Sequence, residues 1–322
     1  MLEESLPPES DSALNSRHKS GESLSVIVCT RNRAAKLVRC LEALLAMKTE
    51  GLRWELICVD NASTDDTRRV IEAFARKSYV PIKYVLERAA RLSLARNSGL
   101  SNSSGDILAF TDDDCIVDPH WLSIISKEFR EDTSLALLGG RVELHDKRDL
   151  PFGIRPYKER VAIDPNNVFS FVGAGNMALR RGVIGSIGIF DTRFGPGAPL
   201  LAAEDSDFAY RVLRAGLKAV YSPAVLVSHD HGRRSEQDRA NIERAYVAAR
   251  GAFYLKHTFQ GDRQVMRLAY WETFQLVKQT FGNIIGRKHK GGDARLLGYL
   301  LTGAYRYLSL RVRSPLACAC FS

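Results

Sequence analysis

The stretch "ILAFTDDDC", residues 107–115, places three consecutive aspartates directly after a short apolar run. The apolar run predicts a buried strand, but adjacent carboxylates repel each other unless a counter-charge lies among them. A divalent cation is such a counter-charge, since Mg²⁺ takes oxygen ligands and commonly binds one or two carboxylates together with substrate phosphates. In an extended segment Asp112 and Asp114 point to the same side, so we expect both to face one site. The alternative interpretation is a solvated acidic loop.

The segments before residue 107 alternate between strand-like and helix-like patterns. β-branched runs predict strands at 24–30, 54–60 and 82–87, and apolar residues at helical spacing predict helices at 34–47, 64–77 and 91–103. This alternation predicts an α/β fold with a mainly parallel central sheet flanked by helices. In such sheets ligands bind at the carboxyl ends of the strands, which is where Asp60 and Asp112 lie.

The chain is expected to have three parts. Residues 1–22 form a Ser/Pro-rich tail that we predict to be disordered. Residues 23–235 form one domain, divided at about residue 115 into two halves. Residues 236–322 form a helical region. None of the six cysteines lies in a CxxC pair, which favours reduced thiols and a cytoplasmic location. No apolar run is long enough to predict a membrane-spanning helix.

The net charge of +9 belongs to the C-terminal region. Residues 250–322 contain 12 of the 46 Lys and Arg but 3 of the 37 Asp and Glu, so residues 1–249 contain 34 of each. Aromatic residues lie among these basic residues, as in helices at a membrane interface. Two interpretations stay open: association with an anionic membrane, at the inner face of the cell membrane, or a helical subdomain packed on the core. Nucleic acid is not an expected partner, because no nucleic-acid motif accompanies the charge.

Two loops after predicted strands carry side chains that can hydrogen-bond a base and a ribose. The loops are "CTRNR", residues 29–33, and "VDNASTDDT", residues 59–67. Their candidate side chains are Thr30, Asn32 and Asp60. Both segments also suit ordinary turns. Neither has the Gly-rich pattern of a dinucleotide site.

An arginine-rich segment, "ERAARLSLARNSG", lies between the third and fourth strands. Its arginines, Arg88, Arg91 and Arg96, are candidate partners of a diphosphate. The alternative is a solvated basic helix face.

A second acidic group, Glu204, Asp205 and Asp207, lies in the first turn of a helix predicted over residues 203–216. Carboxylates there often complement the helix dipole, but beside another acidic cluster one of them becomes a candidate general base.

Two histidines, His229 and His231, follow a predicted strand in "VSHDHG". One imidazole of such a pair can bind a metal ion. The alternative is that both are structural or exposed.

The order of these motifs resembles that of the inverting family 2 glycosyltransferases with a GT-A fold. The resemblance covers residues 24–231 and is carried by "SVIVCTRNR", "LICVDNASTDDT", "LARNSG", "GDILAFTDDD", "GNMALRR" and "EDSDFAYRVLRAG". It implies a nucleotide-sugar donor, with UDP or dTDP favoured over GDP, and a Mg²⁺ or Mn²⁺ ion at the D-x-D motif. It also implies a nucleotide-binding half of the domain to about residue 115 and an acceptor half after it. The expected acceptor is a cell-surface or lipid-linked glycan, and a lipid-linked one would also account for the basic, aromatic C-terminal region. The Q-x-x-R-W pattern of processive synthases is missing, so one sugar is expected per encounter.

The resemblance also implies roles for particular residues. Asp205 resembles the catalytic base, and Asp114 and His229 resemble metal ligands. Donor contacts are expected from Thr30, Arg33, Asp60, Arg91, Arg96, Asp112 and Asp113. Residues expected on the acceptor side are Gly175, Asn176, Glu204 and Asp207.

Two other functions use the same carboxylates. One is a Mg²⁺-dependent nucleotidyl or phosphoryl transferase, which would make or consume pyrophosphate. The other is a nucleotide-sugar-binding protein without catalytic activity. The products of turnover, or their absence, distinguish all three.

Overall fold

The computed structural model describes residues 22–284 and 294–313. The predicted N-terminal tail therefore lies outside the described residues except for residue 22.

The first half of the chain follows the predicted alternation. Its elements are β1 (Leu24–Thr30), α1 (Ala34–Leu45), β2 (Trp54–Asn61), α2 (Thr67–Lys77), β3 (Ile82–Glu87), α3 (Leu92–Asn102) and β4 (Ile107–Asp112).

The second half is less regular. Its elements are β5 (Cys115–Val117), α4 (Trp121–Glu131), β6 (Leu135–Leu144), β7 (Val161–Ala162), α5 (Val168–Phe171), β8 (Asn176–Arg180), α6 (Gly182–Ile187), α7 (Glu204–Arg214) and β9 (Lys218–His229). Three long helices follow, α8 (Glu236–Phe259), α9 (Arg263–Ile284) and α10 (Ala294–Arg313).

The strands form a single mixed sheet in the order β3-β2-β1-β4-β8-β6-β9-β5, with β7 paired to β9. The strands β3, β2, β1 and β4 are parallel, and β8 runs antiparallel between β4 and β6. The register pairs Thr30 with Asp60 and Cys29 with Asp112. The carboxyl ends of the first parallel strands therefore meet at one edge, as predicted.

Hydrophobic side chains cover both faces of the sheet. Alternate residues of β1 point to opposite faces, so Val26 and Val28 pack in the layer that contains α1, whereas Ile27 packs in the layer that contains α3 and α7. Phe253 of α8 belongs to the same layer as Ile27. The packing thus continues across residue 235, the predicted end of the domain, and α8 is part of the core.

The helices α8 and α10 approach each other closely at two glycines. A Cβ atom added at Gly303 would lie 1.7 Å from the carbonyl oxygen of Ala248, and one at Gly251 would lie 2.0 Å from that of Leu300. Both obstacles are backbone atoms, which cannot move aside without shifting a helix.

We expect Gly303→Ala to destabilise the protein by about 1–3 kcal/mol, because the added methyl group overpacks the contact between α8 and α10. Gly298→Ala is the matched control on the same helix, since nothing lies within 4 Å of an added Cβ there. The control should stabilise the protein by about 0.5–1 kcal/mol. Thermal unfolding measures both changes, and equal Tm values for the two variants would contradict the close packing.

Candidate active site

A cavity of about 620 Å³ lies at the carboxyl edge of the sheet. Its walls include the acidic turn after β4, the loop after β1 and the start of α7. The two acidic groups that are far apart in the sequence therefore face the same space. Predicted site residues that line it are Thr30, Arg33, Arg96, Asp112, Asp113, Asp114, Gly175, Glu204, Asp205 and His229.

The three aspartates lie at a turn rather than in an extended segment. Asp112 ends β4, and Asp113 and Asp114 form the turn to β5. Arg33 Nη1 lies 2.9 Å from Asp113 Oδ1 and 2.7 Å from Asp114 Oδ2. This one guanidinium supplies the counter-charge that two adjacent buried carboxylates need, and the turn geometry makes Asp113 and Asp114 its joint partners.

The neighbouring carboxylates differ in their pKa values. Burial raises the pKa of Asp113 to about 6, although Arg33 opposes the shift. Burial also acts on Asp114, but the hydrogen bond and charge of His229 and the charge of Arg33 outweigh it and lower the pKa of Asp114 to about 2. Asp114 is therefore ionised at neutral pH.

Arg96 joins the two acidic groups. It is buried on α3, its Nη2 lies 3.3 Å from Asp112 Oδ1, and its Nη1 donates a hydrogen bond to Glu204 Oε1. Burial raises the pKa of Glu204 to about 7, and the charge of Asp205 adds to the shift while Arg96 opposes it. This buried bridge fixes the start of α7 against the end of β4.

Asp205 is half-buried, and backbone groups hold its carboxylate. Its Oδ1 accepts a hydrogen bond of 2.7 Å from the N–H of Ser206, and its Oδ2 accepts one of 3.2 Å from the N–H of Ala174. Oδ1 also accepts a hydrogen bond of 3.3 Å from the hydroxyl of Ser206, so Oδ2 is the oxygen that keeps a lone pair free. A carboxylate in this position can accept a proton from a bound hydroxyl group.

Asp114 and His229 form a candidate donor set for a metal ion. Asp114 Oδ1 lies 3.2 Å from His229 Nε2, close to the spacing of about 3 Å between adjacent ligands of an octahedral ion with bonds of about 2.1 Å. His229 Nδ1 is buried and has no hydrogen-bond partner among the described residues. Cys115 Sγ is also nearby, but burial raises the pKa of this thiol well above its usual range. The carboxylate oxygen and the imidazole nitrogen fit a divalent cation such as Mn²⁺, whereas a thiol ligand would favour a softer metal.

Gly175 packs directly against the acidic turn. A Cβ atom at this position would lie 2.9 Å from Asp112 Oδ2, so a larger residue would push on this carboxylate. Thr111 Oγ1 also donates a hydrogen bond of 3.1 Å to the carbonyl oxygen of Gly175. The segment before β8 thereby fixes the position of Asp112.

Two residues predicted on the acceptor side lie elsewhere. Asn176 is buried, where its side chain accepts a hydrogen bond from Trp121 and donates to the carbonyl oxygens of Arg141 and Val225. All of its polar atoms are used in holding strands and α4 together. It is a structural residue and does not line the cavity.

Asp207 points into the core on the opposite side of α7 from Asp205. Its Oδ1 lies 2.6 Å from Lys256 Nζ and 3.0 Å from His257 Nε2, and its Oδ2 lies 3.0 Å from Arg211 Nε. These ion pairs are buried and tie α7 to α8. Asp207 therefore does not line the cavity.

Two residues predicted to bind the donor do not line the cavity. Asp60 is buried and accepts hydrogen bonds from the N–H of Ser63, at 2.8 Å, and from the hydroxyl of Tyr84, at 3.0 Å. Arg91 is exposed at the start of α3. Asn61, next to Asp60, does line the cavity, and its buried Oδ1 has no hydrogen-bond partner among the described residues.

The loops around the cavity contain left-handed backbone. Among the described residues, four that are not glycine have a positive φ: Asn32 (53°), Ala62 (58°), Leu201 (68°) and Ala203 (67°). They flank cavity-lining residues after β1, after β2 and before α7. Such strained conformations persist where the surrounding structure enforces them, and they cluster at functional sites.

Comparison with known proteins agrees with this geometry. The profile of Glycosyl transferase family 2 matches residues 25–188, half of the chain. The chain belongs to this family. Membership confirms the resemblance predicted from the motifs, and the matched segment contains the acidic turn but ends before α7.

Two curated relatives of this family 2 protein extend the likeness further along the chain. It is 29% identical over 218 residues to glycosyltransferase AglE of Haloferax volcanii, a match that covers 64% of this chain and 66% of that protein. It is 30% identical over 207 residues to succinoglycan biosynthesis protein ExoM of Rhizobium meliloti, covering 63% of this chain and 65% of that protein. The chain thus spans about two thirds of the length of either relative.

A solved structure confirms the GT-A fold. The mannosyltransferase PcManGT from Pyrobaculum calidifontis, determined in complex with GDP-Man and Mn²⁺, superposes with a TM-score of 0.52 at 20% identity. The superposition covers 94% of this chain and 74% of that one. None of the helices in the described parts of our chain is long and apolar enough to cross a membrane.

Sequence reasoning missed the contribution of α8 to the site. Tyr246 and Arg250 of α8, together with Arg155 and Arg233 from loops, line the cavity of this family 2 protein. All but Arg155 lie in or near the C-terminal region, for which the sequence left two interpretations open, membrane association or packing on the core. The helical periodicity of α8 gave no signal for its position.

Proposed function

We propose that the protein is a metal-dependent, inverting glycosyltransferase that moves one sugar from a nucleotide-diphosphate donor to an acceptor hydroxyl. The observation that carries the proposal is the buried Arg96 bridge, which brings Asp112 of the acidic turn and Glu204 of α7 to one cavity. Asp114, which would bind a metal, and Asp205, which would accept a proton, thereby lie around the same space. Family membership supports sugar transfer as the reaction.

Asp114 and His229 would hold the metal ion. A mixed set of carboxylate oxygen and imidazole nitrogen suits Mn²⁺ better than Mg²⁺, which prefers oxygen ligands. The ion would act as a Lewis acid on the donor diphosphate. The PcManGT structure with Mn²⁺ and GDP-Man supports a divalent ion in this fold.

Asp205 would act as the general base. Its half-buried carboxylate is held by two backbone N–H groups, so it is oriented without being neutralised by an arginine. It would take the proton of the acceptor hydroxyl while the oxygen bonds to the anomeric carbon and the bond from that carbon to the phosphate oxygen breaks. One displacement of this kind inverts the anomeric centre. Glu204 is less suited to this role because Arg96 already binds it.

The nucleoside would bind beside Thr30, Arg33 and Asn61 at the ends of β1 and β2. We retain the expectation of a UDP or dTDP sugar, but PcManGT binds GDP-Man. The donor experiment must therefore include guanine nucleotides.

The acceptor would lie against α8. Tyr246 is half-exposed, lines the cavity and belongs to a segment beyond the family match. An aromatic ring at a cavity wall suits contact with the apolar face of a sugar. We propose a lipid-linked or cell-surface glycan as acceptor. A lipid-linked acceptor would lie at the inner face of the cell membrane.

We expect Tyr246→Ala to raise the acceptor KM by about tenfold, because the variant loses an aromatic surface that the acceptor buries. The donor Kd should stay the same. Tyr246→Phe keeps the ring and should restore the acceptor KM. Steady-state kinetics with varied acceptor measures both, and an unchanged KM in the Ala variant would move the acceptor elsewhere.

The proposed function is tested by turnover with a panel of UDP-, dTDP- and GDP-sugars, with and without Mn²⁺. A glycosyltransferase releases the nucleoside diphosphate and transfers the sugar to acceptor glycans. Release of pyrophosphate would instead indicate a nucleotidyl transferase. Tight donor binding without any product would indicate a binding protein.

A further inference from the structure

The helix α9 exposes a face that combines aromatic and basic side chains. Tyr270, Trp271 and Phe274 are 71%, 61% and 45% exposed. Their rings lie together, with centroids 6.1 Å apart for Tyr270 and Phe274 and 6.3 Å apart for Trp271 and Phe274. Other exposed residues follow at helical spacing on the same face: Arg263, Met266, Arg267 and Lys278.

The helix α10, which contacts α9, exposes an apolar stripe. Its members recur every three or four residues, so they share one face of the helix, and they are Leu301 (57%), Tyr305 (70%), Leu308 (39%) and Val312 (78%). Buried residues of the same helix, such as Leu300 and Tyr307, pack on the core. The exposed stripe is therefore separate from the side of α10 that packs on the core and stabilises the fold.

The charge around these faces has one sign. The helices α9 and α10 contain seven Lys and Arg and one acidic residue, Glu272. Glu272 accepts a hydrogen bond from Tyr254 and lies 3.0 Å from Arg250 Nε, so it faces the core helix α8 rather than neutralising the exposed arginines. An occupant of this surface must therefore be apolar and negatively charged.

We propose that the exposed faces of α9 and α10 dock on an anionic lipid bilayer. Aromatic and aliphatic side chains would enter the interface while Arg and Lys contact the lipid phosphates. A second copy of the chain is a poorer occupant, because a symmetric contact would oppose these basic residues to each other. The proposal does not depend on sugar transfer, since lipid binding needs neither donor nor acceptor.

Trp271 makes the proposal measurable. The chain has three tryptophans, and Trp54 and Trp121 are buried at 9% and 0% exposure, so Trp271 reports on the surface. With phosphatidylcholine vesicles that contain phosphatidylglycerol, we expect a blue shift of its emission and quenching by brominated lipid chains. Pure phosphatidylcholine vesicles should give neither change. Trp271→Phe should lose the fluorescence signal but still sediment with the anionic vesicles.

Substitution of the docking residues tests the mode of binding. We expect Trp271→Ser combined with Tyr305→Ser to weaken binding to anionic vesicles by about tenfold or more, because two buried rings are lost. Tyr79→Ser is the matched control, since Tyr79 is 69% exposed but follows α2 in the nucleotide-binding half. High salt should weaken binding of the parent protein.

Four results would overturn the proposal. They are equal binding to neutral and anionic vesicles, no binding to either, unchanged binding of the double variant, and a dimer in solution that the double variant dissociates. Acrylamide quenching without lipid is a further check, since Trp271 should be accessible in the monomer. A shielded Trp271 would mean that another segment of the chain covers the face.

Discussion

Replacement of Asp205 by Asn should lower kcat by about 10²–10⁴-fold, the usual contribution of a general base. The amide keeps the shape of the side chain and can still accept one of the backbone hydrogen bonds, from Ala174 or Ser206. The fold, the metal site and the donor Kd should therefore be unchanged. Single-turnover kinetics with saturating donor and calorimetric donor binding measure the two quantities separately.

The matched control is Asp207→Asn, two residues along the same helix. Asp207 is fully buried among Lys256, His257 and Arg211. Its neutralisation removes the carboxylate that these three groups share and leaves Lys256 paired with Asp191, so it should cost about 3–5 kcal/mol of stability. The folded fraction should turn over at the normal rate. If Asp205→Asn kept its kcat, the base assignment would be lost, whatever the stability of the control.

Local sequence patterns were sufficient to predict much of the fold. The runs at 24–30 and 82–87 match β1 and β3 at both ends, because β-branched and apolar residues there are bounded by turn residues. The short strands β5 and β7 were not predicted, since two or three residues carry no periodicity. Both strands form because they pair with β9, which lies far from them in the sequence.

The candidate site shows where local patterns stop being informative. Asp205 and Asp207 are equivalent in sequence, each in the first turn of α7, yet one faces the cavity and the other pairs with Lys256, 49 residues away. Asn176 similarly belongs to Trp121, 55 residues away. Which side of a helix or strand is buried depends on these distant partners. The arrangement of Asp113 and Asp114 around Arg33 is likewise a long-range contact that the spacing of acidic residues does not reveal.

Replacement of Asp114 by Asn should weaken Mn²⁺ binding by at least about 100-fold. Even the loss of a residue that only supports a metal ligand lowers metal affinity by about 10–100-fold. The carboxylate is ionised at neutral pH because its pKa is lowered to about 2, so it needs no deprotonation before it binds the ion. The amide removes that charge while keeping the size of the side chain. The electron paramagnetic resonance signal of free Mn²⁺ measures this binding without any turnover.

Three further variants decide which atoms bind the ion. His229→Gln should weaken Mn²⁺ binding, because Nε2 of His229 lies 3.2 Å from Asp114 Oδ1. Cys115→Ala should leave it unchanged, because Mn²⁺ prefers oxygen and nitrogen ligands to a thiol. His231→Gln should also leave it unchanged, since His231 bonds the carbonyl oxygen of Leu150 and the N–H of Arg233 instead. Strong Mn²⁺ binding by both Asp114→Asn and His229→Gln would place the ion elsewhere, whereas loss in Cys115→Ala alone would indicate a thiolate site for a softer metal.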